Sequence, residues 1–288
     1  MRGGLPCEEP KVVWHLSRYG ELGEVMPVVN DLISMYKGDG FRVTGGFSPH
    51  HFGGITPLNI PFMYLYRDDK LFSNGAGMAI SEIALLEEFC HVIRPKSIFI
   101  IGNAFGWSAL ALALINPDAC VISMDGCFDL AGEFGLDLTN KLAGIHGMDN
   151  VSAIKGVSPV DVGRIISEYI GADGVDLFLI DGEHTNDAQR RDFEACYAAS
   201  KASSVFLFHD VINYGMVSGF KDIVASKSMI GKILHRTPSG MAVCTRESHY
   251  PNIEDVVDAF SCEERDIAPL QYKARWTQEM QPFLLFED

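Results

Sequence analysis

Residues with chemically useful side chains follow five short apolar runs of this 288-residue chain. The first run leads into a glycine-rich turn, and the later runs lead into acidic, hydroxyl and imidazole groups: Gly102-Asn-Ala-Phe-Gly-Trp-Ser108, Asp125, Gly156-Val-Ser158, Asp181-Gly-Glu-His184 and His209-Asp210. In an open parallel sheet, ligands bind where the carboxyl ends of the strands meet. If the five runs are strands, all of these groups lie along one rim of the sheet.

The glycine-rich turn and the acid that follows it favour a ligand that contains a nucleoside. Gly102 and Gly106 let the backbone approach a ligand closely, and Ser108 offers a hydroxyl near the positive end of a helix. Asp125 lies 19 residues after Gly106, where a carboxylate can accept hydrogen bonds from both ribose hydroxyls. The turn alone is weak support, but its occurrence together with the other groups predicts a nucleoside site.

The same turn distinguishes between nucleoside ligands. A dinucleotide site has a glycine at the middle position, facing the pyrophosphate, whereas this chain has Ala104 followed by Phe105, whose ring would crowd a diphosphate. The turn has no Lys or Arg, and the lysine of a P-loop is absent. A ligand with an adenosine but no phosphate fits better, so we expect S-adenosylmethionine.

The elements that must position these groups alternate between strands and helices. The spacing of apolar residues predicts strands at Lys96–Ile101, Ala119–Met124, Val151–Lys155, Val175–Ile180, Ser203–Phe208, Lys232–Arg236 and Met241–Thr245. It predicts helices at Ser81–Val92, Ser108–Ile115, Asp137–His146, Asp161–Tyr169, Ala188–Ala199 and Gly219–Ser226. Strands that are apolar throughout indicate a parallel sheet covered on both faces, and the closing hairpin adds one antiparallel strand at the edge. We therefore predict an α/β fold, Rossmann-like and doubly wound, with a mostly parallel seven-stranded sheet.

Three segments make up the predicted organisation. Residues 1–75 form an irregular N-terminal extension, with one helical pattern around Leu22–Tyr36 and then a stretch rich in Gly, Pro and aromatic residues from Gly38 to Gly75. That stretch is a surface loop, a substrate lid or a subunit contact. Residues 76–250 hold the ligand-binding domain, and residues 251–288 hold one helix, Ile253–Glu264, and a tail.

Composition excludes several classes of partner. The chain has 23 Lys and Arg against 38 Asp and Glu, so its net charge of −15 repels nucleic acid and anionic membrane surfaces. It contains no apolar run long enough to span a membrane, and its first residues lack the pattern of a signal peptide. The seven cysteines never form a CxxC pair, which is typical of reduced thiols. We expect a cytoplasmic protein that acts on a small molecule, and a homo-oligomer is compatible with the sequence.

Taken together, the strand ends resemble those of class I S-adenosylmethionine-dependent methyltransferases. The chain looks most like the metal-dependent O-methyltransferases of the catechol and macrocin type, over about Gly77 to Thr245. The matching stretches are Ile100-Ile-Gly-Asn-Ala-Phe-Gly-Trp-Ser108, Val121-Ile-Ser-Met-Asp125, Gly156-Val-Ser158, Phe178-Leu-Ile-Asp-Gly-Glu-His184 and Phe206-Leu-Phe-His-Asp-Val-Ile212. Their order and spacing, more than any one of them, carry the resemblance.

The resemblance implies a cofactor site formed by Gly102, Asn103, Gly106, Ser108, Asp125, Gly126, Ser158 and Asp181. The glycine-rich turn and Ser108 would line the methionine end, Asp125 would hold the ribose, and Ser158 would lie beside the adenine. The family has an acid two residues before its first glycine, near the methionine ammonium, where this chain has Ile100. Either another group, such as backbone around Gly77–Ile80, meets the ammonium, or the affinity for the cofactor is lowered.

The resemblance also implies a divalent metal, held by Asp181, His209 and Asp210, and a catalytic base, His184. Such a metal would lower the pKa of an acceptor hydroxyl, and an imidazole suits removal of its proton at neutral pH. Oxygen ligands alone favour Mg²⁺, whereas the imidazole of His209 shifts the preference towards Mn²⁺ or Fe²⁺. Neighbours on an extended strand point to opposite faces, so His209 and Asp210 can act together only if the chain leaves the strand there.

The resulting hypothesis is metal-assisted O-methylation of a small hydroxylated molecule. Two alternatives stay open. His184 and His209 with Asp181 or Asp210 could supply the two-histidine, one-carboxylate set of a non-haem iron oxygenase. The absence of an acid at Ile100 would suit a protein that binds a nucleoside without catalysis.

Overall fold

The apolar runs of the sequence form strands, and the segments between them form helices that cover both faces of a sheet. The computed structural model describes residues 28–44, 64–68, 70–74, 77–128, 130–261, 265 and 267–272. In chain order the elements are α1 (Val28–Gly38), β1 (Arg42–Thr44), β2 (Tyr64–Arg67), β3 (Lys70–Asn74), α2 (Ile80–Ile93), β4 (Ser97–Ile101), α3 (Trp107–Ile115), β5 (Cys120–Asp125), α4 (Leu130–Ile145), β6 (Val151–Lys155), α5 (Val162–Tyr169), β7 (Val175–Ile180), α6 (Asn186–Ala198), β8 (Ser200–Phe208), α7 (Val217–Lys227), β9 (Met229–Leu234), β10 (Met241–Arg246) and α8 (Glu254–Phe260).

The main sheet has seven strands in the order β6-β5-β4-β7-β8-β10-β9. The first five are parallel, β10 is antiparallel to β8, and β9 is antiparallel to β10. The predicted Rossmann-like sheet is therefore confirmed, with its antiparallel strand one place in from the edge. Strand order reverses between β4 and β7, and the crevice at such a point is where doubly wound folds bind ligands.

Alternation along each central strand supplies two cores. In β4, Ile98 and Ile100 face one apolar layer, and Phe99 and Ile101 face the other. All four are buried, and burial of a large apolar side chain contributes about 1.5–3 kcal/mol. Because both faces of β4 are covered, a ligand can reach this strand only at its carboxyl end, on the rim of the sheet. Among the described residues, no helix is both long enough and apolar enough to cross a membrane.

Four predicted boundaries need correction by three residues or more. Helix α4 begins at Leu130 rather than Asp137, and β9 covers Met229–Leu234 rather than Lys232–Arg236. Strand β8 begins at Ser200 rather than Ser203, and α8 ends at Phe260 rather than Glu264. Two glycines disguise the start of α4, but they serve its packing: a Cβ on Gly135 would lie 1.8 Å from the carbonyl oxygen of Ala104. Helix α4 can therefore lie directly against the glycine-rich turn only because residue 135 has no side chain.

The N-terminal segment is more regular than the sequence predicts. Strands β1, β2 and β3 form a small antiparallel sheet, so Gly38–Gly75 is not one continuous loop. The guanidinium of Arg67 lies 3.8 Å from the ring centre of Phe41 and donates to Asp39 at 2.9 Å. Helix α1 contacts the glycine-rich turn, because the Tyr36 hydroxyl donates to the carbonyl of Phe105 at 2.6 Å. Residues 45–63, and the predicted tail beyond 272, lie outside the described residues.

Candidate functional site

The glycine-rich turn between β4 and α3 owes its glycines to contacts within the protein. Gly102 has φ +96°, and a Cβ there would lie 2.0 Å from the backbone oxygen of Asp181. Gly106 has φ +85°, and a Cβ there would lie 2.1 Å from the hydroxyl of Thr139. The sequence argument assigned both glycines to the approach of a ligand. The structure gives each one a second reason, since the turn crosses the end of β7 and rests on α4.

Asp125, at the end of β5, fastens this turn. Its Oδ2 accepts hydrogen bonds from the backbone N–H of Asn103 at 2.9 Å and of Ala104 at 3.1 Å. Its Oδ1 accepts one from the N–H of Cys127 at 2.9 Å. An ionised carboxylate accepts about four hydrogen bonds, so three of its places are filled and about one is left for a sugar hydroxyl.

A cleft of about 630 Å³ opens where the strand order reverses, a volume within the range of small-molecule sites. It is lined by most of the predicted site residues: Gly102, Asn103, Ser108, Asp125, Gly126, Ser158, Asp181 and His184. Gly106, His209 and Asp210 lie behind that lining rather than in it. The cleft therefore brings together groups that are up to 82 positions apart in the sequence.

The cleft is electrostatically suited to a cation. Its described lining carries four carboxylates, Asp125, Asp181, Glu183 and Asp192, against the guanidinium of Arg191. Such a field attracts a sulfonium or an ammonium and repels a diphosphate. The ring of Phe128, which is 86% exposed, stands at the same opening and offers an apolar face to a planar group.

Ser158, after β6, is held at the far wall of the cleft. Its hydroxyl donates to a carboxylate oxygen of Asp192 on α6. Burial raises the pKa of Asp192, and this hydrogen bond opposes the rise. The pair places a hydroxyl and a carboxylate side by side, where they can accept from or donate to the polar edge of a base.

The chain leaves the sheet directly after β8. Strand β8 ends at Phe208, and Asp210 has φ +57°, in the left-handed region. This break satisfies the condition set by the sequence, because it brings the side chains of His209 and Asp210 close together. Nδ1 of His209 lies 3.3 Å from Oδ1 of Asp181 and 3.5 Å from Oδ2 of Asp210.

His184 completes a ring of four side chains, Asp181, His184, His209 and Asp210, which we call the rim cluster. Its Nε2 lies 3.4 Å from Oδ1 of Asp181 and 3.5 Å from Oδ2 of Asp210. Two atoms that each lie 2.0–2.2 Å from one metal ion are roughly 3–3.5 Å apart. The ligand atoms of Asp181, His184 and Asp210 also all lie within 4.8 Å of one another. The spacing of the rim cluster therefore fits atoms that share an ion.

The buried ring of His209 also suits a cation at the rim cluster. The residue is 4% exposed, and its Nδ1 is buried with no well-aligned hydrogen bond to any described residue. Buried polar atoms are nearly always satisfied, by protein, water or an ion. Since its nearest neighbours are two carboxylate oxygens, the direction of Nδ1 suits an ion held between them.

The charges of the rim cluster are strongly coupled. Burial raises the pKa of Asp181, but the positive charge of His209 and the close contacts with both imidazoles outweigh it and lower the pKa. Burial lowers the pKa of each imidazole, whereas Asp181 and Asp210 raise it, with a net rise for His184 and a larger one for His209. Asp181 therefore stays ionised and requires positive charge nearby, from protons on the imidazoles or from a cation.

Two neighbours of the rim cluster were missed by sequence reasoning. Glu82, in the first turn of α2, lies with Oε2 3.2 Å from Nε2 of His209. Tyr214 stacks on the ring of His184, with ring centres 4.1 Å apart and planes at 23°. Glu82 stands out in the sequence only as an acid in an apolar helix, and nothing distinguishes Tyr214 from a surface tyrosine.

Comparison with known proteins identifies a methyltransferase domain and related folds. Residues 99–211 match a family model described as a methyltransferase domain. Among solved structures, the chain is similar to the O-methyltransferase of Bacillus cereus in complex with S-adenosylhomocysteine, with 13% identity, a TM-score of 0.50, and coverage of 78% of this chain and 93% of that one. It is equally similar to a Klebsiella pneumoniae protein provisionally named as an O-methyltransferase, with 14% identity, a TM-score of 0.50, and coverage of 78% and 92%. No curated protein matches the chain.

The matched residues contain the turn, Asp125 and the whole rim cluster. The resemblance on which the sequence analysis relied is therefore confirmed: residues 99–211 match a methyltransferase domain, and the chain shares its fold with O-methyltransferases.

Proposed function

We propose that the protein transfers the methyl group of S-adenosylmethionine to a hydroxyl oxygen of a small molecule, with a divalent metal at the rim cluster. The observation that carries this proposal is the juxtaposition of an acidic, cation-attracting cleft with Asp181, a carboxylate that belongs to both the cleft and the rim cluster. A methyl donor in the cleft and an acceptor oxygen at the cluster would meet at this residue. The O-methyltransferases of similar fold support the oxygen acceptor.

The donor would lie along the cleft, with its methionine end at Gly102, Asn103 and Ser108. Ile100, where the family has an acid, is fully buried in the core, so it takes no part. Gly77 lines the cleft, and its backbone is available to the ammonium as the sequence predicts. The adenosine end would lie between Phe128 and Ser158.

Asp125 and Gly126 would hold the ribose. Because three of the acceptor places of Asp125 are filled by backbone N–H groups, we expect one direct hydrogen bond to the sugar rather than two. The carboxylate would thus serve two purposes: it would stabilise the glycine-rich turn and bind a ribose hydroxyl.

Asp181, Asp210 and His209 would hold the metal, which when bound lowers the pKa of a hydroxyl and fixes its position. We assign His184 as the base because its side chain is the most exposed of the rim cluster, at 30%, and lines the cleft. It can take the acceptor proton on Nε2. The neighbouring carboxylates, which raise its pKa, stabilise the protonated form. Orientation of the two reactants by these groups can contribute on the order of 7–11 kcal/mol.

The test is direct measurement of transfer. We expect S-adenosylmethionine to bind with roughly micromolar affinity in calorimetry, and S-adenosylhomocysteine to form with some member of a panel of phenols, sugars and polyketides. Chelation should abolish turnover. Oxygen consumption with iron and 2-oxoglutarate, without the methyl donor, would instead indicate an oxygenase.

Asp125→Ala gives the sharpest check of the donor site. Loss of the ribose contact and loosening of the turn should weaken donor binding about 10- to 100-fold, since a hydrogen bond to a charged group contributes about 1.5–3 kcal/mol. Calorimetry measures the change, and the thermal midpoint of each protein controls for folding. An unchanged affinity would show that the donor binds elsewhere.

A further inference from the structure

Glu82 is a buried carboxylate outside the cleft with a complete set of partners. It is 1% exposed, and its Oε1 accepts the backbone N–H of Ser239 at 2.8 Å. Its Oε2 accepts the N–H of Ala79 at 2.9 Å and faces Nε2 of His209 at 3.2 Å. An ionised group inside a protein is expensive unless it is paired and hydrogen-bonded, so its partners explain how it is tolerated.

The hydrogen bonds of Glu82 also determine which nitrogen of His209 carries a proton. Both carboxylate oxygens of Glu82 accept a backbone N–H, Oε1 from Ser239 and Oε2 from Ala79, so the carboxylate faces His209 as an acceptor. Nε2 of His209, 3.2 Å away, is therefore the nitrogen that donates. In the neutral ring the lone pair is then on Nδ1, the atom that faces Asp181 and Asp210.

Metal-binding histidines commonly donate their second N–H to a carboxylate, which fixes the tautomer and the ring orientation. We propose that Glu82 is a positioning residue that presents Nδ1 of His209 to the rim cluster, so that the site prefers a first-row transition ion such as Mn²⁺ or Fe²⁺ to Mg²⁺. Imidazole ligands suit those ions, whereas Mg²⁺ selects oxygen. This inference rests on the proposed metal site but goes beyond it, because it assigns the choice of metal to a residue 127 positions from His209.

Glu82 also joins three segments: the residue before α2, the turn between β9 and β10, and the end of β8. A purely structural role would therefore lower stability when Glu82 is changed, yet leave the choice of metal unaffected. The two roles make different predictions, and metal binding can be measured without any methyl transfer.

The experiment uses the full chain, Mn²⁺ and Mg²⁺. Pulsed electron paramagnetic resonance of bound Mn²⁺ should show coupling to an imidazole nitrogen that persists in His184→Asn and is lost in His209→Asp. In Glu82→Gln, competition between the two ions should show the Mn²⁺ over Mg²⁺ preference reduced about 10- to 100-fold. Glu88→Gln, an exposed glutamate on the same helix, is the matched control and should leave the preference unchanged.

Each result decides between the alternatives. A preference that is unchanged in Glu82→Gln, with only a lower melting temperature, would reduce Glu82 to a structural role. Absence of nitrogen coupling from His209 in the wild type would overturn the inference even if Glu82→Gln does not fold. Mn²⁺ bound through His209 without methyl transfer to any acceptor would contradict only the proposed function. Methyl transfer with Mg²⁺, and no coupling between bound Mn²⁺ and the nitrogen of His209, would contradict only this inference.

Discussion

The two ends of β7 carry aspartates with opposite characters. At the amino end, Asp176 accepts from the N–H of Lys96 at 2.9 Å, from the N–H and hydroxyl of Ser97 at 3.1 and 3.0 Å, and from the ammonium of Lys201 at 2.7 Å. Just past the carboxyl end, the imidazole contacts of Asp181 are 3.3 and 3.4 Å long. The first carboxylate is saturated with short hydrogen bonds, and the second has long contacts and spare capacity.

The difference follows from what each end must do. Asp176 joins β4, β7 and β8 where the strands begin, so its best state is one with every lone pair used. Asp181 lies where the crossover connections leave the crevice open, and an optimised set of protein contacts there would leave nothing for a ligand. Saturation therefore indicates a structural role at one end of the strand, and unsaturation indicates a binding role at the other.

Asp181→Asn should have the largest effect. Removal of this charge takes away a metal ligand and the carboxylate shared with the cleft, and such electrostatic stabilisation is worth several kcal/mol. We expect kcat/KM to fall about 1,000-fold, with loss of Mn²⁺ binding. Asp176→Asn, on the same strand, is the control and should keep kcat/KM within about threefold. Comparable activity losses in both variants would refute the division between the two ends.

Asp176→Asn should instead act on stability. An asparagine keeps the size of the side chain but loses the charge-assisted bond to Lys201 and one acceptor for the N–H groups of β4. Bonds of this kind contribute roughly 1–3 kcal/mol each. Urea unfolding should show a loss of that size, and an unchanged midpoint would mean that the saturated cluster contributes little.

The stabilisation by Asp176 should also depend on pH. Burial raises the pKa of Asp176, but its hydrogen bonds to Lys201, Lys96 and Ser97 outweigh this, and the pKa lies below its usual 3.8. A carboxyl with a lowered folded-state pKa stabilises fully above its unfolded pKa and loses that contribution as the pH falls through the folded value. The difference in unfolding free energy between wild type and Asp176→Asn should be constant above about pH 5 and shrink below pH 4.

Much of this organisation could be predicted, because each group of the site follows a strand that is apolar throughout. The sequence places Asp125, Asp181, His209 and Asp210 at one rim as soon as the runs are recognised as parallel strands. The break at Asp210 could be stated only as a condition, since a left-handed backbone at a non-glycine residue leaves no clear mark in the sequence.

The rest depends on contacts between distant segments. The partner of His209 is Glu82, and the partners of the Asp125 carboxylate are N–H groups, which every residue but proline carries. The early start of α4 was hidden by Gly135, a helix-breaking residue in isolation that is required where the helix meets Ala104. Composition and periodicity predict which residues are buried and which segments are helices or strands. The partners of His209 and Asp125 and the start of α4 instead depend on how one element packs on another.

Tyr214 gives the smallest and most specific test of the carboxyl end. Its ring stacks on His184, and an aromatic pair contributes about 0.5–1.5 kcal/mol beyond burial. If the stack orients the base, Tyr214→Leu should lower kcat two- to tenfold with little change in the KM for S-adenosylmethionine. Tyr214→Phe keeps the ring and should stay within about twofold of the wild type.

The comparison of the two Tyr214 variants separates the ring from the hydroxyl. The hydroxyl could itself reach an acceptor, since Tyr214 is partly exposed beside His184. In that case Phe and Leu would impair kcat equally, and the stack would have no part in orienting the base. A loss confined to Leu, with a shifted acidic limb in the pH profile of kcat, would identify Tyr214 as a positioning residue, because the ring is the part that stacks on the imidazole. The base His184 would then be oriented by Tyr214, just as the metal ligand His209 is oriented by Glu82.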